Sequence, residues 1–242
     1  EPTPECQYGE GCASVLKHVD ALYKENGMET ELDTNGAYHL AYLGNGDKSI
    51  GLFAHADVVA VDDKWTLCNP FEPKEIDGFL FGRGTNDDKC GVIISLYCAK
   101  MIRELEIPFN SRLVCFTGAN EENGMNDIKN YVKAHTPPDF SMILDSGFPF
   151  GVGNKGILWL STLTDYAFED IEDAYGGESI NIILGSVRLT LRYSEELLSE
   201  LSDKDGVNAT VENGKIILEA HGVSTHGALP EGSKNAMLVA ID

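Results

Sequence analysis

The chain has 242 residues, 43% of them hydrophobic and 24% charged, with 39 acidic side chains against 18 basic ones and a formal net charge of −21. This is ordinary globular usage, enough for one large domain or one and a half ordinary ones. The charge excludes a surface for nucleic acid or anionic membrane, and no run of about 18 apolar residues is present to cross a bilayer.

The opening Glu1-Pro2-Thr3-Pro4-Glu5 lacks the basic start and apolar stretch of a signal peptide, although a chain that does not begin with Met can have lost one. Apolar residues at Val15, Leu16, Val19, Leu22 and Tyr23 follow a helical period, with Gly27 placed to end it. Three extended runs come next, Met28 to Leu32, Tyr38 to Leu43 and Ser49 to Ala54, with Gly44-Asn45-Gly46 a tight turn between the last two. Trp65 to Lys74 reads as loop and Glu75 to Arg83 as a hairpin about Asp77-Gly78. From Asp87 to Leu105 the pattern is helical, Leu113 to Phe116 is a buried strand, Met125 to His135 a helix stopped by Pro137-Pro138, and Ser141 to Leu144 a short apolar strand. Alternating strands and helices predict an α/β layer structure on a central, mostly parallel sheet.

The pattern changes after Lys155. Ile157 to Leu163, Ile180 to Leu191, Val207 to Val211 and Lys215 to Ala220 read as strands, Glu195 to Ser202 as a helix, and another helix begins near Ser233. Asn213-Gly214 is a hairpin signal. The glycine-rich loop from Gly151 to Gly156 is the expected boundary between one domain, residues 1–155, and a smaller antiparallel α+β domain, residues 156–242. The chain stops at Asp242 within a predicted helix, so the natural polypeptide is expected to continue. The six cysteines, Cys6, Cys12, Cys68, Cys90, Cys98 and Cys115, form no Cys-x-x-Cys pair and read as reduced, buried thiols of a cytosolic protein.

Five acidic or imidazole positions fall at strand ends or in the loops after them, the edge where open α/β sheets bind ligands. His55-Ala56-Asp57 ends a strand, and period two puts both side chains on one side, where Asp57 can orient the His55 ring and fix its tautomer. Asp87-Asp88-Lys89 follows Gly82-Arg83-Gly84 into a helix, so one aspartate can be an N-cap and adjacent aspartates can also share a cation. Glu121-Glu122 can divide metal binding from proton transfer, or simply favour the start of the next helix. Asp145 ends a strand before Gly147, and His226 lies among small residues. Each has an ordinary explanation alone; one histidine with three or more carboxylates at one sheet edge is the mixed ligand set zinc accepts. His18, His39 and His135 read as solvent-facing or core-edge.

In this order the motifs resemble the co-catalytic zinc peptidase family of aminoacylases, acetylornithine and succinyl-diaminopimelate deacylases, glutamate carboxypeptidases and carnosinase-like dipeptidases. Asp87-Asp88-Lys89, Asp57-Val58-Val59 followed by Trp65, and Pro149 after Asp145 are most similar to its PepV-type dipeptidases. The resemblance implies a zinc-exopeptidase-like catalytic domain with a ferredoxin-like lid, and two Zn2+ ions, with Mn2+ or Co2+ as alternatives. It implies that His55 and Asp145 hold one ion, Asp87 bridges both, Glu122 holds the second, Asp57 orients His55 and Glu121 is the general base. In the lid, His226 would stabilise the oxyanion and Asn181 would contact substrate. A fifth ligand, a histidine on a later segment in the family, has no counterpart in these residues. The expected substrate is a small peptide, the location cytoplasmic, and a monomer is favoured over a lid-mediated dimer. An N-acyl amino acid deacylase, desuccinylase or carboxypeptidase uses the same chemistry; a non-catalytic metal- or partner-binding relative would have no need of Glu121.

Overall fold

The computed structural model describes residues 3, 6–59, 61, 65–147, 149–153, 156, 158, 160–163, 170–177, 180–202 and 204–241. They fall into two units, Glu1–Val152 and Gly153–Asp242. The first unit begins with helix α1 (Glu10–Glu25) and strands β1 (Glu29–Leu32), β2 (Tyr38–Leu43) and β3 (Lys48–His55). A hairpin of β4 (Lys74–Ile76) and β5 (Phe79–Phe81) then leads to helix α2 (Lys89–Glu104), strand β6 (Ser111–Gly118), helix α3 (Asn126–Ala134) and strand β7 (Phe140–Ile143).

The five-stranded sheet has the order β1-β2-β6-β3-β7. β6 and β7 both pair parallel to β3, whereas β2 is antiparallel to its neighbours β1 and β6. The sheet is therefore mixed, with β2 alone reversed. Connection length explains this: the parallel neighbours are joined through helices, and the short link from β1 to β2 permits only a hairpin. The turn at Gly44-Asn45-Gly46 does not join paired strands, because β6 lies between β2 and β3. That loop crosses the start of β6 so closely that a Cβ on Gly44 or Gly46 would collide with the carbonyl oxygens of Ser111 and Asn110.

Strand alternation sends Leu52 and Ala54 of β3 into a core with Val19 and Tyr23 of α1 and Val92 and Leu96 of α2. Phe53, with Tyr38, Leu40 and Phe116, turns the other way, where Tyr131 of α3 seals the second core. Helices cover both faces, as a largely parallel sheet requires. β7 is an edge strand whose four residues are all exposed.

Three sequence expectations need correction in this unit. β3 ends at His55, so Asp57 lies beyond the strand and is not placed by its alternation. His39 is fully buried, because β2 packs its first four residues on both faces. The six thiols are free, but only Cys115 is buried and Cys98 is exposed.

The second unit comprises β8 (Ile171–Gly176), β9 (Ser186–Arg192), helix α4 (Glu195–Ser202), β10 (Val207–Glu212), β11 (Lys215–His221) and helix α5 (Ala236–Ile241). Its sheet, β10-β11-β9-β8, is antiparallel at every pairing. β9 and β10 run the same way with β11 between them, so β9-α4-β10 is a split crossover. Val187, Leu189 and Ile216 face a core closed by Leu201 of α4 and Val239 of α5. The turn at Asn213-Gly214 joins β10 to β11 with Glu212 opposite Lys215. The strand expected over Ile180 to Leu191 starts only at Ser186, and β8 was not expected. Of the strand expected over Ile157 to Leu163, residues 157 and 159 lie outside the described residues and the rest form no strand.

Candidate functional site

The parallel register brings the carboxyl ends of β3 and β6 level, with His55 opposite Gly118 and β7 ending beside Phe53. The loops leaving those strands therefore meet at one edge. They carry Asp57 after β3, Glu121 and Glu122 after β6 and Asp145 after β7, while Asp87 and Asp88 arrive at the start of α2.

His55 is the centre of this group and is 3% exposed. Its Nδ1 lies 3.1 Å from the backbone oxygen of Asp57. A carbonyl oxygen only accepts, so Nδ1 carries the hydrogen and Nε2 keeps its lone pair in the neutral ring. Nε2 is buried and makes no hydrogen bond. Around it stand Asp87 Oδ1 at 3.1 Å, Asp145 Oδ2 at 3.6 Å and Glu121 Oε2 at 3.9 Å. Ligand-type atoms gather within 4.8 Å of one another in two sets, His55 with Asp87 and Glu122, and His55 with Asp88 and Asp145.

The carboxylate of Asp57 has a different task from its carbonyl. Oδ1 lies 3.4 Å from His55 Nδ1, and the two oxygens accept the backbone N–H groups of Glu121 at 3.2 Å and Glu122 at 3.1 Å. One residue thus sets the tautomer of the histidine and the path of the glutamate loop. Asp88, rather than Asp87, is the N-cap of α2. It is fully buried, and its oxygens accept from Gly91 N and His55 N, both at 3.2 Å. Asp87 stays free of that cap and turns its Oδ1 toward Nε2.

Crowded acids perturb one another. Burial pushes Glu121 up to about 7, aided by the charges of Glu122, Asp145 and Asp57 and opposed by His55. Burial, then Asp87, raises Glu122. Burial and the Asp145 charge take Asp88 up to about 6, against the N–H bonds it accepts. Burial opposes a charged His55, but the Asp57 hydrogen bond and the charges of Asp57, Glu121 and Asp145 outweigh it and push the ring up to about 10. An excess of acids around one buried imidazole leaves positive charge as the missing component.

His226 and Asn181 belong to the second unit and meet each other there. Ala228 N–H donates to His226 Nδ1 at 3.1 Å, so the neutral ring carries its hydrogen on Nε2. The amide of Asn181 lies 3.4 Å from that Nε2, and its oxygen is the end suited to face an N–H. A third buried acid, Asp127, reads in the sequence as an ordinary acid in the first turn of α3; it is 2% exposed and bonded to the glutamate loop. Its signal, an acid seven residues after Asn120, becomes meaningful only when the loop is seen to fold back.

A model of the peptidase family M20/M25/M40 matches residues 51–224. The Bacillus subtilis (strain 168) protein named "Putative dipeptidase YtjP" is 28% identical over 247 residues, covering 96% of this chain and 53% of that protein. A Staphylococcus epidermidis protein named "Putative dipeptidase" is 26% identical over 251 residues, covering 98% and 53%. The chain spans about half the length of the curated relatives it matches. Among solved structures, an M20 family metallo-carboxypeptidase from Sulfolobus solfataricus superposes with a TM-score of 0.53 at 18% identity, over 84% of this chain and 44% of that one. Human carnosine dipeptidase 1 gives 0.51 at 21% identity, over 60% and 35%. These two likenesses bear on the fold alone.

Proposed function

Because the chain belongs to peptidase family M20/M25/M40, we propose that it carries the ligands and the general base of a metal-dependent dipeptidase. The observation behind this is the buried Nε2 of His55, which makes no hydrogen bond and is faced by carboxylates from three separate loops. A nitrogen donor with several oxygen donors suits zinc, and Mn2+ or Co2+ as alternatives.

In this reading His55 and Asp145 would hold one ion, Glu122 would hold the second, and Asp87 would serve both. Two divalent ions supply a water of lowered pKa and a polarised scissile carbonyl. The remaining work falls to the side chains. Asp57 keeps His55 in the tautomer that offers Nε2, and its carboxylate fixes the backbone of both glutamates. Glu121 takes the proton from the attacking water at its carboxylate and returns it to the leaving amine. A carboxyl held near neutrality in the metal-free site suits that exchange, and nearby positive charge draws its value down again. His226, with its hydrogen on Nε2, donates to the carbonyl oxygen as negative charge grows there, a contribution of about 3–4 kcal/mol for a well-aimed donor. Asn181 contacts substrate beside it. The free thiols accord with a cytoplasmic setting.

The test is turnover of a dipeptide panel against N-acetyl and N-succinyl amino acids, with and without chelator. Dipeptides are hydrolysed preferentially, and activity returns with metal. Glu121→Gln retains metal and loses about 10²–10⁴-fold in kcat; unchanged turnover in that variant sinks the mechanism. Preference for the acylated substrates would move the protein to a deacylase.

A further inference from the structure

The dipeptidase reading needs Glu121 and Glu122 to present their carboxylates in fixed directions, yet both sit in a turn outside regular structure. Four successive backbone N–H groups in that turn have acceptors from elsewhere in the chain. Ala119 N donates to Ala37 O at 3.2 Å, Asn120 N to Asp127 Oδ2 at 2.8 Å, and Glu121 N and Glu122 N to Asp57. Asn120 completes the closure: its Oδ1 accepts from Asn126 N at 3.1 Å, and its carbonyl oxygen accepts from Met125 N at 2.8 Å.

Two carboxylates therefore clamp three consecutive amides, Asp57 from the loop after β3 and Asp127 from the first turn of α3. Asp127 is nearly inaccessible, and its Oδ1 also accepts Ile128 N at 2.7 Å. A buried carboxylate is expensive to desolvate, so its place is explained by what it holds. It reaches Asn120 by passing over Gly118, where a Cβ would collide with Asp127 Oδ2. Gly118 is also the residue opposite His55 in the sheet, and its carbonyl oxygen accepts Ala56 N at 2.9 Å. The clamp is thus anchored to the strand pair that positions the imidazole.

We propose that Asp127 is a positioning residue of the candidate metal site, holding the Asn120 amide so that the two following amides stay in register on Asp57 and the glutamate carboxylates face His55. It touches neither ligand nor substrate and acts only through the turn. This rests on the metal-site reading above, but the clamp itself is a property of the metal-free chain.

Asp127→Asn keeps the shape and turns one acceptor into an NH2 group, which then opposes an N–H of Asn120 or Ile128. Gly118→Ala reaches the same carboxylate from the other side. Two readouts are taken well below the unfolding transition: amide exchange at Glu121 and Glu122 in the metal-free protein, and Co2+ affinity by titration of its visible absorption. Both variants should exchange those amides faster and bind Co2+ about 10–100-fold more weakly, the usual loss when a group supporting a ligand is removed. Combined, they should lose no more than the worse single variant, since both break one contact. A change in unfolding midpoint alone, or faster exchange with unaltered affinity, overturns the proposal, as does weaker binding with unaltered exchange. If the unsubstituted protein binds no Co2+ while the exchange result holds, the clamp stands and the metal-site reading fails.

Discussion

His39 is the second residue of β2 and has no exposed surface, and neither ring nitrogen makes a hydrogen bond. Tyr23 packs against the ring at 5.3 Å, and Asp20 Oδ1 is 3.7 Å from Nε2, too far to bond it. Burial lowers its pKa from 6.5 to about 4, with Asp20 working against the shift and Lys24 with it. The unfolded chain therefore takes up this proton first as pH falls through 6.5. Stability from this group is complete above 6.5 and is lost progressively down to about 4, for a total of about 3 kcal/mol. His39→Leu should flatten that part of the profile, read as the difference in urea midpoints between pH 7 and pH 4. Identical profiles for the two proteins would show that the ring finds a partner when charged. The residue was illegible in the sequence for a plain reason: a histidine between Tyr38 and Leu40 looks like the polar member of an alternating strand, and only packing on both faces of β2 makes it interior.

At the scale of elements, α3 shows how a short helix can hold a site. It has nine residues, of which only Asp127 and Tyr131 are buried. Tyr131 lies 5.2 Å from Phe116 and 5.8 Å from both Phe53 and Tyr38, ring to ring, and with the partly buried Ile128 attaches the helix to the apolar core. Tyr131→Ala should cost about 3–5 kcal/mol, the usual loss for a buried ring, and should also speed exchange at Asn120, because Asp127 sits one turn earlier on the same helix. A denaturation midpoint and an exchange profile check the two halves; loss of stability with an unchanged Asn120 would separate the helix from the loop. Elements with strong periodicity were legible: β2, α2, β6 and β11 announce themselves by apolar spacing. β8 did not, since Ile171-Glu172-Asp173-Ala174-Tyr175-Gly176 is an acidic edge strand with only Ile171 partly covered. The stretch Ile180 to Gly185 failed the other way, apolar enough for a strand but held mainly by single contacts, such as Ile183 N to Thr225 O at 2.9 Å. The candidate ligands and base stood out because carboxylates and histidine at strand ends are visible in sequence, whereas the clamp proposed to order them depends on amides, which every residue has.

For the whole molecule, the two units have separate apolar clusters. Those of the first unit draw on α1, α2, α3 and its sheet, and that of the second is built from β9, β11, α4 and α5 with no residue in common. The four candidate ligands His55, Asp87, Glu122 and Asp145 all lie in the first unit. Damage to the second core should then leave metal binding alone while removing whatever His226 contributes to turnover. Ile216 is fully buried between the strands and helices of that core, and Ile216→Ala should destabilise the second unit by about 2–5 kcal/mol. Under native conditions its Co2+ affinity should match that of the unsubstituted protein within about twofold, as expected when the substituted residue belongs to a separate apolar cluster. Exchange measured unit by unit should show faster opening in residues 186–241 only. A parallel fall in Co2+ affinity would mean that the first unit depends on the second for its ligand geometry, and the division of labour between binding and turnover would have to be abandoned.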